Sequence, residues 1–175
     1  MINTSYIVLL QNIELFCSNH MQIKKFGSDF EEQMPNFATQ NEAYPILFVA
    51  PQTSQLNDNL SQFTVSVYCF DIIQKNRENI NTILSDCQQI LNDLHKFFKD
   101  GNITYIDVLQ TSSLTPINNA LLDYVAGWQM TIVFEVETYT ICDIPFNPNP
   151  PQTFNIITEE GDNLITEDGD NIVWL

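Results

Sequence analysis

Gln62-Phe63-Thr64-Val65-Ser66-Val67-Tyr68-Cys69-Phe70-Asp71-Ile72-Ile73 alternates between two faces, and the segment Glu78–Lys99 that soon follows changes to a helical period. In the first stretch Phe63, Val65, Val67 and Cys69 share one side, with Thr64, Ser66, Tyr68 and Phe70 on the other. A period of two is the mark of a strand with one face in a core. In the second, Ile80, Ile83, Leu84, Cys87, Leu91, Leu94 and Phe98 fall on one stripe of a helix. Asn76 or Asn79 is placed to cap its start, and Gly101 stands just past its end. A long strand running into a long amphipathic helix predicts a helix laid on a sheet, hence an α+β domain.

Working outward toward the N-terminus, residues 4–21 read as a first amphipathic helix. Tyr6, Leu9, Leu10, Ile13, Phe16 and Cys17 recur at helical spacing behind Asn3 or Thr4 as cap. A short strand is expected around Gln22–Phe26, closed by a turn at Gly27-Ser28-Asp29. Residues 28–43 are polar, contain Pro35, and read as an excursion. Tyr44-Pro45-Ile46-Leu47-Phe48-Val49-Ala50-Pro51 reads as a buried strand that a proline near each end keeps short.

Toward the C-terminus, residues 103–114 read as one strand entering a loop at Pro116, with a helical turn through Asn118–Tyr124. Gly127 opens the last strand of the domain: Trp128, Met130, Ile132, Phe134 and Val136 alternate with Gln129, Thr131, Val133, Glu135 and Glu137. The expected architecture is an antiparallel or mixed sheet of about four strands. An N-terminal helix and a long central helix cover it on one face. This domain takes residues 1–144. Residues 145–152 hold Pro145, Pro148, Pro150 and Pro151 and read as an extended linker. Residues 153–175 contain a repeat of eight, Ile157–Leu164 followed by Ile165–Ile172, each an apolar start and an acidic glycine turn. They read as a β-meander arm. Short strands without a core are marginal alone, so the arm is expected to dock on something.

Composition narrows the function. The chain has 175 residues and a formal net charge of −16, with charged residues at 16%, well under the usual ~25%. The six cations are Lys24, Lys25, Lys75, Arg77, Lys96 and Lys99, while residues 100–175 carry twelve carboxylates and no cation. Nucleic-acid binding draws on phosphate neutralisation by Lys and Arg, so sequence-specific nucleic-acid binding is not expected. Neither is an anionic membrane surface. No apolar run reaches the ~18 residues of a membrane span. The Tyr6–Leu10 run is too short for a signal segment, so the chain is expected to stay inside the cell that makes it. Cys17, Cys69, Cys87 and Cys142 are widely spaced and read as reduced structural thiols.

Catalytic chemistry finds little to use. His20 and His95 each sit near a helix end without a ligand-spaced partner, and five glycines leave no room for a phosphate-cradling loop. No catalytic, cofactor-binding or metal-binding residue is assigned, and a non-enzyme is expected. Glu159, Glu160 and Asp162, repeated as Glu167, Asp168 and Asp170, cluster oxygens but match no calcium-loop spacing, so solvated turns are the better reading. Interaction residues are easier to name. Tyr68 and Phe70 project from the second face of their strand and call for cover, either from a partner or from a second layer of this same domain. Glu135 and Glu137 stand on the polar face of theirs. In the arm, Phe154, Ile157, Leu164, Ile165, Ile172, Val173, Trp174 and Leu175 carry apolar surface toward a partner, and strand addition is a common way to use it.

The succession across residues 1–140 resembles the tail-terminator and tail-completion proteins, the head-to-tail connector rings, of tailed bacteriophages. The resemblance rests on a helix, the Tyr44-Pro45 strand, a long alternating strand, a long amphipathic helix and a strand opened by Val125-Ala126-Gly127-Trp128. It implies a virion structural protein of the neck or tail, assembled in the host cytoplasm as a ring of six or twelve copies. Its partners would be adjacent portal, neck or tail proteins, and DNA would pass through. Residues 28–43, 51–61 and 145–175 would be the contact elements, and the family carries no catalytic residues or cofactors. The alternative from another class is a small acidic phage-encoded inhibitor that captures a basic host protein.

Overall fold

The structure, a computed structural model, describes residues 6–39, 43–57, 60–74, 76–100, 103–109, 112–118, 124–137, 154–155 and 173–174. The chain divides into two compact units, Met1–Tyr139 and Thr140–Leu175.

The first unit is α+β and is built on one mixed sheet of six strands. Its elements are α1 (Tyr6–Asn19), β1 (Lys25–Ser28), a 3-10 turn (Glu31–Gln33), α2 (Met34–Thr39), β2 (Ile46–Asn57), β3 (Leu60–Ile72), α3 (Ile80–Lys99), β4 (Ile106–Val108), β5 (Ser113–Asn118) and β6 (Val125–Glu137). The spatial order is β1-β2-β3-β6-β4, with β5 also on β6. Only β1 and β2 run parallel; β2–β3, β3–β6, β4–β6 and β5–β6 are antiparallel. In the second unit β7 (Phe154–Asn155) pairs antiparallel with β8 (Val173–Trp174). The remainder of the repeated arm, with its candidate calcium turns, lies outside the described residues.

The main core lies where the apolar stripes of α1 and α3 meet one face of the sheet. Leu9, Ile13, Phe16 and Cys17 from α1 join Ile83, Cys87, Ile90, Leu91, Leu94 and Phe98 from α3. Beneath them are Val65, Val67 and Cys69 of β3 and Met130, Ile132, Phe134 and Val136 of β6, the sets the alternation pattern separates. Full burial of each large aliphatic or aromatic side chain contributes about 1.5–3 kcal/mol. Aromatic geometry adds direction: Phe98 meets Phe134 edge-on at 4.8 Å, and Phe97 bridges Phe98 at 5.2 Å and Phe16 at 5.5 Å. Trp128 is half-buried, and its Nε1–H donates to the Leu84 carbonyl at 2.8 Å, tying α3 to β6.

Asn79 stands at the start of α3 yet makes no side-chain cap bond. Its amide instead closes the preceding loop: Nδ2 donates to the Ile72 carbonyl at 3.0 Å, and Oδ1 accepts the Gln74 N–H at 2.9 Å. Lys96 and Lys99 occupy the last turn of α3, where cations favour the helix dipole.

Several expectations are corrected. The sheet is covered on both faces, because the excursion folds into a 3-10 turn and α2 over residues 31–39. They cross over between the parallel strands β1 and β2. Met34 and Ala38 then cap a second core of Ile46, Phe48, Ala50, Tyr68, Phe70, Ile117 and Val125. Gly27 and Ser28 belong to β1 rather than to a turn. β2 does not stop at Pro51 but continues to Asn57, with a register shift between Pro51 and Thr53. Past Val49 β2 has no neighbour on its β1 side among the described residues, so a proline lacking an N–H is tolerated there. The single strand expected at 103–114 is two strands, β4 and β5, set along one side of β6. Pro116 and Asn118 lie inside β5, and β6 begins at Val125, two residues before Gly127.

Candidate functional site

Three surfaces of the first unit hold groups its own packing leaves available. The first is the pair of sheet margins. β1 covers β2 only from Ile46 to Val49, so Ala50–Asn57 forms a free edge among the described residues. Leu56 on that edge is 80% exposed. The opposite margin is the broken edge of β4 and β5, where Leu109 and Leu114 are partly exposed. Unpaired strand edges are ready templates for another chain.

The second surface is the part of the outer sheet face that α2 leaves uncovered. Here the polar positions of β3 and β6 pair across the sheet. Gln62 Nε2 donates to Glu135 Oε1 at 2.7 Å, and Gln129 Nε2 donates to Ser66 Oγ at 3.1 Å. All but Ser66 are partly exposed, and the Gln62–Glu135 register is that of directly opposed residues. This is a hydroxyl, amide and carboxylate floor, which costs less to desolvate against a partner than a fully charged one.

The third is a pocket of about 400 Å³ at the margin between this floor and the helical crossover. Tyr68 lines it, 3% exposed, and its buried hydroxyl meets no partner at full hydrogen-bond geometry, although Glu31 and Ser66 lie near enough to act on it. Glu31, Met34, Pro35, Pro116, Ile117 and Gln129 complete its lining. Burial and the Glu31 carboxylate both push the Tyr68 phenol upward, so it stays protonated. A larger groove, about 690 Å³, runs between α3 and β5 and is lined by Gln88, Gln89, Asn92, His95, Ser112 and Leu114 among others. Burial and the nearby Lys99 lower the pKa of His95.

Within the first unit, Tyr68 and Phe70 do not form an exposed patch with Glu135. Tyr68 and Phe70 are not exposed: the chain covers them itself with Met34, Ala38, Phe37 and Tyr44, and the Tyr44 ring lies 6.3 Å from that of Phe70. Glu135 stands on the outer floor as expected. Glu137 ends β6 opposite Leu60. Phe154, Val173 and Trp174 take part in the β7–β8 pairing through their backbones. Ile157, Leu164, Ile165, Ile172 and Leu175 lie outside the described residues. The Tyr68 pocket escaped the sequence reading because its walls come from four segments far apart in the chain. The one available signal was a phenol placed next to Phe70 on a face otherwise rich in Ser and Thr.

Among the described residues no group of three or more His, Cys, Asp or Glu side chains could hold a metal ion. No helix among them is long and apolar enough to cross a membrane. Cys17, Cys69 and Cys87 are buried and unbridged. Cys69, against Cys87, has its thiol held well above the ordinary range by that contact and by burial; Cys17 is pushed up to about 12 by burial and the Glu14 charge. Such thiols are poor nucleophiles. No protein-family model matches the chain, and no curated protein matches it.

Proposed function

We propose that the chain is a structural subunit of a bacteriophage neck or tail ring, a tail terminator or head-to-tail connector, and works through protein–protein contacts rather than catalysis. The observation that carries this reading is the open margin of the sheet, Ala50–Asn57 with its exposed Leu56. The opposite margin, β4 and β5, pairs only with β6 among the described residues. Two unlike edges on one sheet support head-to-tail contacts, and head-to-tail contacts that close give rings. The polar outer floor suits burial against a neighbour, and the order of elements supports the phage resemblance. In this reading six or twelve copies close a ring between portal and tail, in the virion, after assembly in the host cytoplasm. A net charge of −16 would keep DNA from adhering as it passes.

Negative-stain images of the purified chain, taken with and without residues 145–175, test the proposal. Rings of six or twelve copies, loosened in the shortened chain, support it and identify the arm as a clasp. A monomer that forms a tight one-to-one complex with a basic host protein would instead support the acidic-inhibitor reading.

A further inference from the structure

The Tyr68 pocket has a chemistry that the assembly reading does not use. Tyr68 is nearly wholly buried, yet its hydroxyl oxygen meets no partner at full hydrogen-bond geometry. A buried hydroxyl left unpaired destabilises the free protein, and a ligand able to pair with it removes that penalty. Gln129 commits its Nε2 to Ser66 and so leaves its carbonyl oxygen for the pocket. Glu31, on the 3-10 turn, accepts a long bond of 3.3 Å from Gln52, and its carboxylate also acts on the Tyr68 phenol. Three oxygens, one of them anionic, thus line a pocket whose other walls are Met34, Ile117 and the rings of Pro35 and Pro116. An acceptor set at the end of an aliphatic wall is complementary to an alkylammonium or alkylguanidinium group, whose stem packs on apolar surface while its head is hydrogen-bonded.

We propose that this pocket is a socket for a lysine or arginine side chain of a basic partner protein. A second copy of this chain is the poorer occupant: six cations against 22 carboxylates make each copy repel the other at long range, while a basic partner is drawn in. The cation lies against Glu31, donates its second contact to the Tyr68 oxygen and its third to the Gln129 carbonyl oxygen. The inference stands whether or not the chain forms rings.

The test uses capped amino acids, Nα-acetyl-lysine and Nα-acetyl-arginine N-methylamides, with the norleucine analogue as neutral control and butylammonium as a free amine. Methyl resonances of Met34 and Ile117 in the full chain report occupancy by NMR. The capped lysine or arginine should shift both, saturably, and the norleucine analogue should not. Glu31→Gln should weaken binding about tenfold, the loss typical of a charged hydrogen bond. Tyr68→Phe should weaken it severalfold while leaving the melting temperature unchanged or raised, since it removes a hydroxyl that is unpaired in the free protein. That combination separates a binding role from a packing role. Equal shifts from the norleucine analogue, or binding untouched by Glu31→Gln, would overturn the proposal. So would butylammonium binding more tightly than both capped residues, because the socket would then belong to a small amine. Loss of rings with intact cation binding would count against the assembly reading alone.

Discussion

Substituting Gly127 by alanine places a methyl group between the two central strands of the sheet. A Cβ there would lie 2.6 Å from Phe70 Cα and 2.9 Å from the Cys69 carbonyl carbon, and closer still to the Cys69 carbonyl oxygen. Ordinary carbon contacts begin near 3.5 Å, so β3 and β6 would have to part by about 1 Å. All the obstructing atoms are backbone, in residues that are fully buried, and β3–β6 is the longest pairing in the fold. Overpacking of this kind costs about 3 kcal/mol, at the upper end of what an added methyl group does. Gly27→Ala is the internal control. There the obstacle is the Phe37 ring, with Cε1 at 2.6 Å and Cε2 at 2.7 Å, a side chain that can swing on its torsions. About 1 kcal/mol is expected. Urea denaturation followed by far-UV circular dichroism measures both. With a slope of about 2 kcal/mol/M, the Gly127→Ala midpoint should fall by about 1.5 M and that of Gly27→Ala by about 0.5 M. A Gly127→Ala chain within about 0.5 kcal/mol of wild type, or one more stable than Gly27→Ala, would refute the close-approach argument.

Other outcomes follow from single contacts. Trp128→Phe removes the bond to the Leu84 carbonyl and should cost about 1–2 kcal/mol by the same assay; an unchanged midpoint would mean that the indole N–H contributes nothing. Cys17, Cys69 and Cys87 should resist alkylation by iodoacetamide at pH 8 in the native state and all react in urea; rapid labelling of any of them in the folded protein would contradict their burial. His95 has a lowered pKa in the folded chain, so the unfolded chain binds the proton first as pH falls. Its contribution is complete above about pH 6.5 and is lost as pH drops below that value. His95→Gln should therefore flatten the fall in melting temperature between pH 7 and 5, and an identical profile would remove His95 from the account.

Much of this architecture was legible in the chain. Period-two alternation in Phe63–Cys69 and Trp128–Val136 identified the two central strands and the sides they bury, because one face of each meets helices. The stripe from Ile80 to Phe98 identified α3, missing only Ile90. What escaped has physical reasons. Residues 28–43 are polar on their exposed side and bury only Met34 and Ala38 fully among the described residues, too few for a visible stripe. Pro51 and Pro116 look like strand breakers, yet both sit on strands with an open side, where a missing N–H costs little. Tyr68 and Phe70 looked like partner-facing aromatics because nothing in the local pattern shows that a distant excursion folds back over them. The socket at Tyr68 is harder still: its oxygens come from residues 31, 68 and 129, and only the tertiary fold joins them.

The central claim is assembly through the free edge of β2, and the native mass of the wild-type chain beside that of Leu56→Glu tests it most directly. Leu56 is 80% exposed, so a carboxylate there leaves the fold intact while it disfavours pairing along Ala50–Asn57. A wild-type ring of six or twelve copies, with the variant reduced to monomers of native circular dichroism, is the predicted result. A wild-type chain that remains a monomer at every concentration, or a variant that keeps the wild-type mass, would contradict it.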